Sequence, residues 1–282
     1  MIAILLATYN SERYISEQID SLFGQSFKDW VLYIRDDGST DNTISIVSEY
    51  IVKYPDKVFI VDNEGKSLRA YLNFMALVEK VDADYYAFCD HDDVWLHDKL
   101  EVSYIRMRAL EAANPDKPLL VHTDMRVVDQ NLNVINNSFW AYTKLLPEKS
   151  GFVELVCCNS VNGCTVLFNK KARAFALQHV DHATMHDMLL AQTVAASGGI
   201  VSAVNKPTVL YRQHIDNVVG AHERNYEYYK KKACNFKAVY DDNLNWWHLS
   251  RQIKEYSLAY YLFVKFKVNI YKVLKYKLGI KL

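Results

Sequence analysis

Residues 2–41 read IAILLATYNSERYISEQIDSLFGQSFKDWVLYIRDDGSTD. Residues 2–8 form a short unbroken apolar run, the mark of a strand covered on both faces. Tyr14, Ile15, Ile19, Leu22 and Phe23 then recur at helical spacing, with Asn10 and Ser11 as candidate caps. Residues 31–35 are a second apolar run, stopped by Asp36-Asp37-Gly38-Ser39. Strand, helix and strand joined by short links predict a right-handed crossover and a parallel sheet.

The alternation continues outward. Thr40 or Asp41 caps a helix to about Tyr54, and residues 58–61 form a third strand ending in Asp62-Asn63-Glu64-Gly65. A helix through Leu72, Phe74, Met75 and Val78 leads to a fourth strand, 85–89, which stops at Asp90. Residues 97–113 read as a helix, 119–128 and 165–168 as strands, and 185–197 as a helix ended by Gly198-Gly199. Residues 201–204 and 208–211 read as two further short strands.

Composition narrows the class. Of 282 residues, 33 are Lys or Arg and 33 are Asp or Glu, so no basic excess marks a nucleic-acid binder. Half the chain is apolar and 23% is charged, which excludes global disorder and fibrous classes. Cys89, Cys157, Cys158, Cys164 and Cys234 show no CxxC spacing. Reduced, mostly buried thiols are expected, as in a cytosolic protein. The apolar start lacks a basic flank and is too short for a signal peptide or a membrane span.

The polar clusters all fall at strand ends, where open α/β sheets bind ligands. Asp90 and Asp92, two apart at a strand end, point to the same side and repel. A divalent cation with oxygen ligands, Mg²⁺ or Mn²⁺, relieves this, and diphosphates commonly share it. Asp37 can accept the N3–H of a uracil or thymine ring, with Thr8 and Tyr9 supplying backbone bonds and a stacking face. Arg69 can reach a phosphate. Taken singly, each also reads as a cap or a solvated charge.

Together, Ala7-Thr-Tyr-Asn10, Gln25-Ser-Phe27, Arg35-Asp-Asp-Gly-Ser-Thr-Asp41 and Phe88-Cys-Asp-His-Asp-Asp-Val-Trp95 resemble bacterial family 2 glycosyltransferases. Asn162-Gly-Cys-Thr165, His186-Asp187, Tyr211-Arg-Gln-His214 and Asn217-Val-Val-Gly220 look like that family's acceptor-side motifs. The nearest likeness is to enzymes that build surface polysaccharides, including rhamnosyl- and galactosyltransferases. The resemblance implies a GT-A fold: a mostly parallel central sheet flanked by helices. It also implies an inverting transfer of a hexose or deoxyhexose from a UDP- or dTDP-sugar to a glycan.

Residue by residue, it implies nucleotide-sugar contacts at Thr8, Tyr9, Asn10, Asp37, Arg69, Asp90, His91 and Asp92. It implies a Mn²⁺ or Mg²⁺ held by Asp90, Asp92 and His214, and Asp187 as catalytic base. Asp187 alone reads as a helix cap. His186 stands where the family often has Glu, with a role in orienting Asp187 or contacting acceptor. The Gln-x-x-Arg-Trp signature of processive relatives is absent, which suggests single additions. A sugar nucleotidyltransferase is a weaker reading, because the loop after the first strand lacks glycine for a triphosphate. An inert, glycan-reading relative is another.

The expected organisation is a transferase domain over 1–224, with a nucleotide-sugar half (1–115) and an acceptor half (116–224). A C-terminal helical extension over 225–282 follows, opening with a polar-aromatic helix at 226–232. Residues 256–282 carry no Asp or Glu, and lysines alternate with Tyr, Phe, Leu, Val and Ile. That pattern suits a helix lying in a bilayer interface or a terminal hairpin packing on protein, including a second copy. The first option places the enzyme at the inner face of the cell membrane, beside a lipid-linked acceptor.

Overall fold

The computed structural model describes residues 1–215, 217, 220–223 and 236–279. Its centre is β1 (Ile2–Thr8), every residue of which is buried. Helices cover both faces, so the strand alternates between two cores. Ile2, Ile4 and Leu6 enter one; Ala3, Leu5 and Ala7 enter the other. The first core takes Ile15, Ile19 and Leu22 of α1 (Ile15–Phe23) and Val47 of α2 (Thr43–Lys53). The second takes Phe74, Leu77 and Val78 of α3 (Arg69–Lys80). Leu100 and Met107 of α4 (Lys99–Ala113) join the first core.

β2 (Trp30–Asp36) and β4 (Tyr85–Cys89) flank β1 in parallel, and β3 (Val58–Ile60) extends beyond β2. In the second half, β6 (Leu119–Val128) runs parallel to β9 (Ile200–Arg212). β8 (Leu167–Asn169) lies antiparallel between β4 and β6, joining the halves into one sheet. β5 (Val94–Trp95) pairs antiparallel with β9, and β7 (Val134–Asn136) with β6. The antiparallel members β5, β7 and β8 have two or three residues each, too few for a sequence period to register.

Between these lie α5 (Phe139–Tyr142), α6 (Phe152–Cys157), α7 (Lys170–Leu177) and α8 (His186–Ala196). The two strands expected over 201–211 are one strand of 13 residues. Pro207 sits inside it, and a register slip opposite Asp124 absorbs the missing N–H. Asn10 and Ser11 do not cap α1. The Ser11 carbonyl accepts from Tyr14 and Ile15 in a turn, and the helix starts at Ile15.

The C-terminal part contains α9 (Phe236–Arg251) and α10 (Leu258–Lys277). Ser257 caps α10 by accepting from the Tyr260 N–H, and Tyr261, Val264 and Val268 bury its inner face. The expected helix at 226–232, the boundary at 224–225, Val218-Val219 and Cys234 lie outside the described residues. Cys89, Cys158 and Cys164 are free and buried, and Cys157 is free and half-buried. Among the described residues no helix is long and apolar enough to cross a membrane.

Candidate active site

The ends of β1 and β2 are tied together first. The Thr8 hydroxyl donates to buried Asp36 at 2.8 Å. Asp36 also accepts from the N–H groups of Gly38 (2.9 Å) and Ser39 (2.7 Å). This folds a turn in which Gly38 has φ +90°, a conformation that favours glycine. Asn10 bridges the two loops, donating its N–H to Ser39 Oγ (2.8 Å) and accepting from the Thr40 N–H (2.9 Å). Tyr9 stays 54% exposed, with its ring open to a ligand.

Asp37 is buried beside them. Its carboxylate accepts from Arg35 Nη1 (3.2 Å), Ser67 Oγ (2.8 Å), Leu68 N–H (2.6 Å) and Arg69 N–H (2.8 Å). Those four donors occupy the acceptor positions of the group. Asp37 therefore anchors the start of α3, where Arg69 has φ +60° and an exposed side chain. Thr8, Tyr9, Asn10, Asp37 and Arg69 thus meet at one sheet edge. A further donor reaches Asp37 only when one of these gives way.

The acidic loop after β4 is held from the opposite side. Pairing of β5 with β9 sets Val94 opposite Leu210 and brings the end of β9 under the loop. His214 Nε2 then lies 2.9 Å from Asp92 Oδ2. The Arg212 N–H donates to fully buried Asp93 at 3.0 Å. The Arg212 guanidinium donates to the Asp92 carbonyl (2.7 Å), the Gln130 carbonyl (2.7 Å) and Glu17 on α1. It also lies 4.5 Å over the Tyr14 ring. His91 Nδ1 sits 3.3 Å from the Ala7 carbonyl, joining this loop to β1. From sequence, Arg212 was only a member of the Tyr211-Arg-Gln-His214 motif and Tyr14 only an apolar helix position, while Glu17 had no role. The available signal was that motif, which carries Arg212 at the end of an apolar strand.

Asp187 enters from the first turn of α8 and is 9% exposed. Its Oδ1 accepts from the Met188 N–H at 2.6 Å. Burial raises its carboxyl to about 6, against the opposing pull of the Met188 and Gly163 N–H groups. Asp90 is raised to about 8, by burial first and then by the charges of Asp92 and Asp187. Asp187 is thus within electrostatic reach of Asp90. Burial opposes the charge of Asp92, but His214 and His91 outweigh it and hold the group below its ordinary value.

His186 does not hydrogen-bond to Asp187. Its ring packs 4.0 Å from Phe74 and 4.7 Å from Phe88, and burial lowers it to about 3. It is a neutral wedge supporting α8. Asp124 accepts from Ser138 Oγ (2.5 Å) and the Trp140 N–H (3.1 Å), so it fastens α5. Trp95 and Trp140 are buried in the core.

Asp90, Asp93 and Cys164 each place a potential ligand atom within 4.8 Å of the others. Burial raises the Cys164 thiol well above its ordinary value, so it stays protonated and suits a hard cation poorly. Of the expected metal ligands, Asp92 and His214 are in contact, with His214 Nε2 2.9 Å from Asp92 Oδ2, and Asp90 lies in the same loop.

The sequence model described as "Glycosyl transferase family 2" matches residues 3–145. The chain belongs to this family. This family 2 glycosyltransferase is 30% identical to the dTDP-rhamnosyl transferase RfbG of Shigella flexneri, over 77% of this chain and 74% of that one. It is 25% identical to WfgD of Escherichia coli, a UDP-Glc:alpha-D-GlcNAc-diphosphoundecaprenol beta-1,3-glucosyltransferase, over 60% of each chain. It is 36% identical to the putative glycosyltransferase EpsE of Bacillus subtilis, but over only 36% of each chain. The structure of S. aureus TarS 1-349 in complex with UDP-GlcNAc superposes with TM-score 0.61 at 16% identity, over 100% of this chain and 76% of that one. The Pyrobaculum calidifontis mannosyltransferase PcManGT, in complex with GDP-Man and Mn²⁺, gives TM-score 0.56 at 15% identity, over 97% of this chain and 70% of that one. The glycosyltransferase therefore has the GT-A fold.

Proposed function

We propose that this glycosyltransferase performs an inverting, metal-dependent transfer of a hexose or deoxyhexose from a UDP- or dTDP-sugar. The acceptor is a hydroxyl of a growing surface glycan, carried on a lipid. The reading places the enzyme in the cytoplasm, at the inner face of the membrane. What supports the reading is that Asp187 lies within electrostatic reach of Asp90, in the loop whose Asp92 touches His214 at 2.9 Å. In this reading Asp187 serves the acceptor, and the acidic loop after β4 serves the cation and donor.

In this reading, Asp90, Asp92 and His214 hold the divalent cation, which when bound stabilises charge on the departing nucleoside diphosphate. Thr8, Tyr9 and Asn10 frame the base, and His91 braces the loop against β1. Asp37 takes the base N3–H after the loop at 67–69 shifts, and exposed Arg69 meets a phosphate oxygen. Asp187 accepts the proton of the acceptor hydroxyl as that oxygen forms its bond to C1 and the C1–O bond to the diphosphate breaks. A single displacement inverts the anomeric centre and needs no second nucleophilic carboxylate. The dTDP-rhamnosyl and UDP-glucosyl relatives support this donor class without choosing between the nucleotides.

Calorimetric titration with UDP and dTDP, with and without Mn²⁺, tests the donor side. We expect metal-dependent binding that Asp92→Asn abolishes; unchanged affinity in that variant removes Asp92 from the metal site. A panel of UDP- and dTDP-sugars, read by NMR of the new linkage, tests the stereochemistry. Retention at C1 refutes the single displacement.

A further inference from the structure

We propose that the outward face of α10 is a docking surface for an anionic lipid bilayer. The helix has two apolar faces. Tyr261, Val264 and Val268 are buried against the protein and fix its rotation. On the opposite pole lie Leu262, Phe263, Phe266, Ile270 and Val273, all exposed, with Phe263 at 57% and Phe266 at 64%. At 1.5 Å per residue this row is about 16 Å long. An exposed aromatic row of that kind marks an interaction surface rather than a solvated face.

Charge identifies the occupant. Lys267 and Lys277 are exposed along this helix, and Lys267 Nζ stands 5.5 Å over the Phe263 ring. A lysine at the border of an apolar row extends its ammonium toward the headgroup level. No Asp or Glu occurs from residue 256 to 282. A second copy packed on this row brings lysines against lysines with no carboxylate on the helix to balance them. Anionic headgroups supply that balance. Lys275 is already occupied by Glu148 on the protein side.

The inference deepens the proposed lipid-linked acceptor and rests on it. α10 packs on α6, where the Cys157 thiol faces the Tyr261 carbonyl and Phe152 meets Tyr256 edge-on. The chain then runs from α6 to Gly163, whose N–H faces Asp187. One layer of packing therefore separates the bilayer face from the catalytic carboxylate's loop.

The test uses the full chain and vesicles of phosphatidylcholine with and without phosphatidylglycerol. Co-sedimentation is expected only with the anionic vesicles. Phe263→Ser with Phe266→Ser should weaken it at least tenfold, and Lys267→Glu with Lys277→Glu at least about fivefold per lysine. Both pairs are exposed, so thermal midpoints should stay at the wild-type value. Turnover on a water-soluble acceptor should be unchanged in both. Equal binding to neutral vesicles, or sedimentation indifferent to the two Phe substitutions, overturns the proposal. So does a wild-type dimer in sedimentation velocity that those substitutions dissolve, without vesicle binding. Vesicle binding without sugar transfer leaves docking standing and sinks the transferase chemistry instead.

Discussion

Replacing Asp187 with Asn should make the enzyme inactive and more stable at once. Burial raises this carboxyl from its ordinary 3.8 to about 6. Below 3.8 the group is neutral in folded and unfolded chains alike, and Asp and Asn are equivalent. Between 3.8 and about 6 the unfolded chain ionises while the buried carboxyl keeps its proton, so stability falls across that window and levels off above about 6. At 1.36 kcal/mol per unit, the folded state then gives up about 3 kcal/mol that Asn retains. Turnover should move the other way, with a loss of about 10²–10⁴-fold for a missing general base. Wild-type activity should fall about tenfold between pH 7 and pH 5 as the base takes up its proton. Urea unfolding of metal-free protein at pH 8 and pH 4 reads the stability arm, and single-turnover transfer reads the other. Equal stability gain at both pH values refutes the buried charge. Full activity in the variant refutes the base.

Three further outcomes follow from particular contacts. A Cβ on Gly163 meets His186 Nε2 at 2.4 Å, so Gly163→Ala should destabilise by about 1–3 kcal/mol. A double-mutant cycle with His186→Ala should show coupling, and strict additivity removes the clash as its cause. Arg212→Met leaves the Asp92 and Gln130 carbonyls without their donor, at about 1–3 kcal/mol for each one left unsatisfied. It should also weaken Mn²⁺-dependent UDP binding at least tenfold, by calorimetry; wild-type affinity would free the loop from Arg212. Asp37→Asn removes the buried partner of Arg35, 3.2 Å away, and should lower stability by about 3–5 kcal/mol in urea titrations. An unshifted midpoint means that Arg35 finds other acceptors.

Much of residues 1–115 could be read from sequence because β1, β2 and β4 have five to seven residues, are largely buried and lead into polar loops. β1 and β4 are unbroken apolar runs, and the polar groups fall at their ends. What sequence could not show is how those groups spend their hydrogen bonds. Asp37 looks free on paper, yet four donors of its own chain surround it. Asn10 looks like a helix cap and is a strap between loops. The acceptor half was harder to read. Its sheet depends on β5 and β8, whose two or three residues acquire a conformation only from their neighbours. Arg212 acts through backbone carbonyls, and those leave no trace in side-chain spacing. His186 illustrates the limit: beside an acidic residue it reads as a catalytic helper, while the two Phe rings that enclose it come from α3 and β4.

β8 meets β4 through Tyr85–Asn169 and Tyr86–Phe168, and meets β6 through Leu120–Phe168 and Val121–Leu167. Two rungs on each side make a narrow seam between β4 and β6. A second join is as short: β5 meets β9 through Val94–Leu210 and Trp95–Val209. A change at Phe168 therefore disturbs two strands at once, and the loop after β4 keeps its shape only while the end of β9 holds Arg212 beneath it.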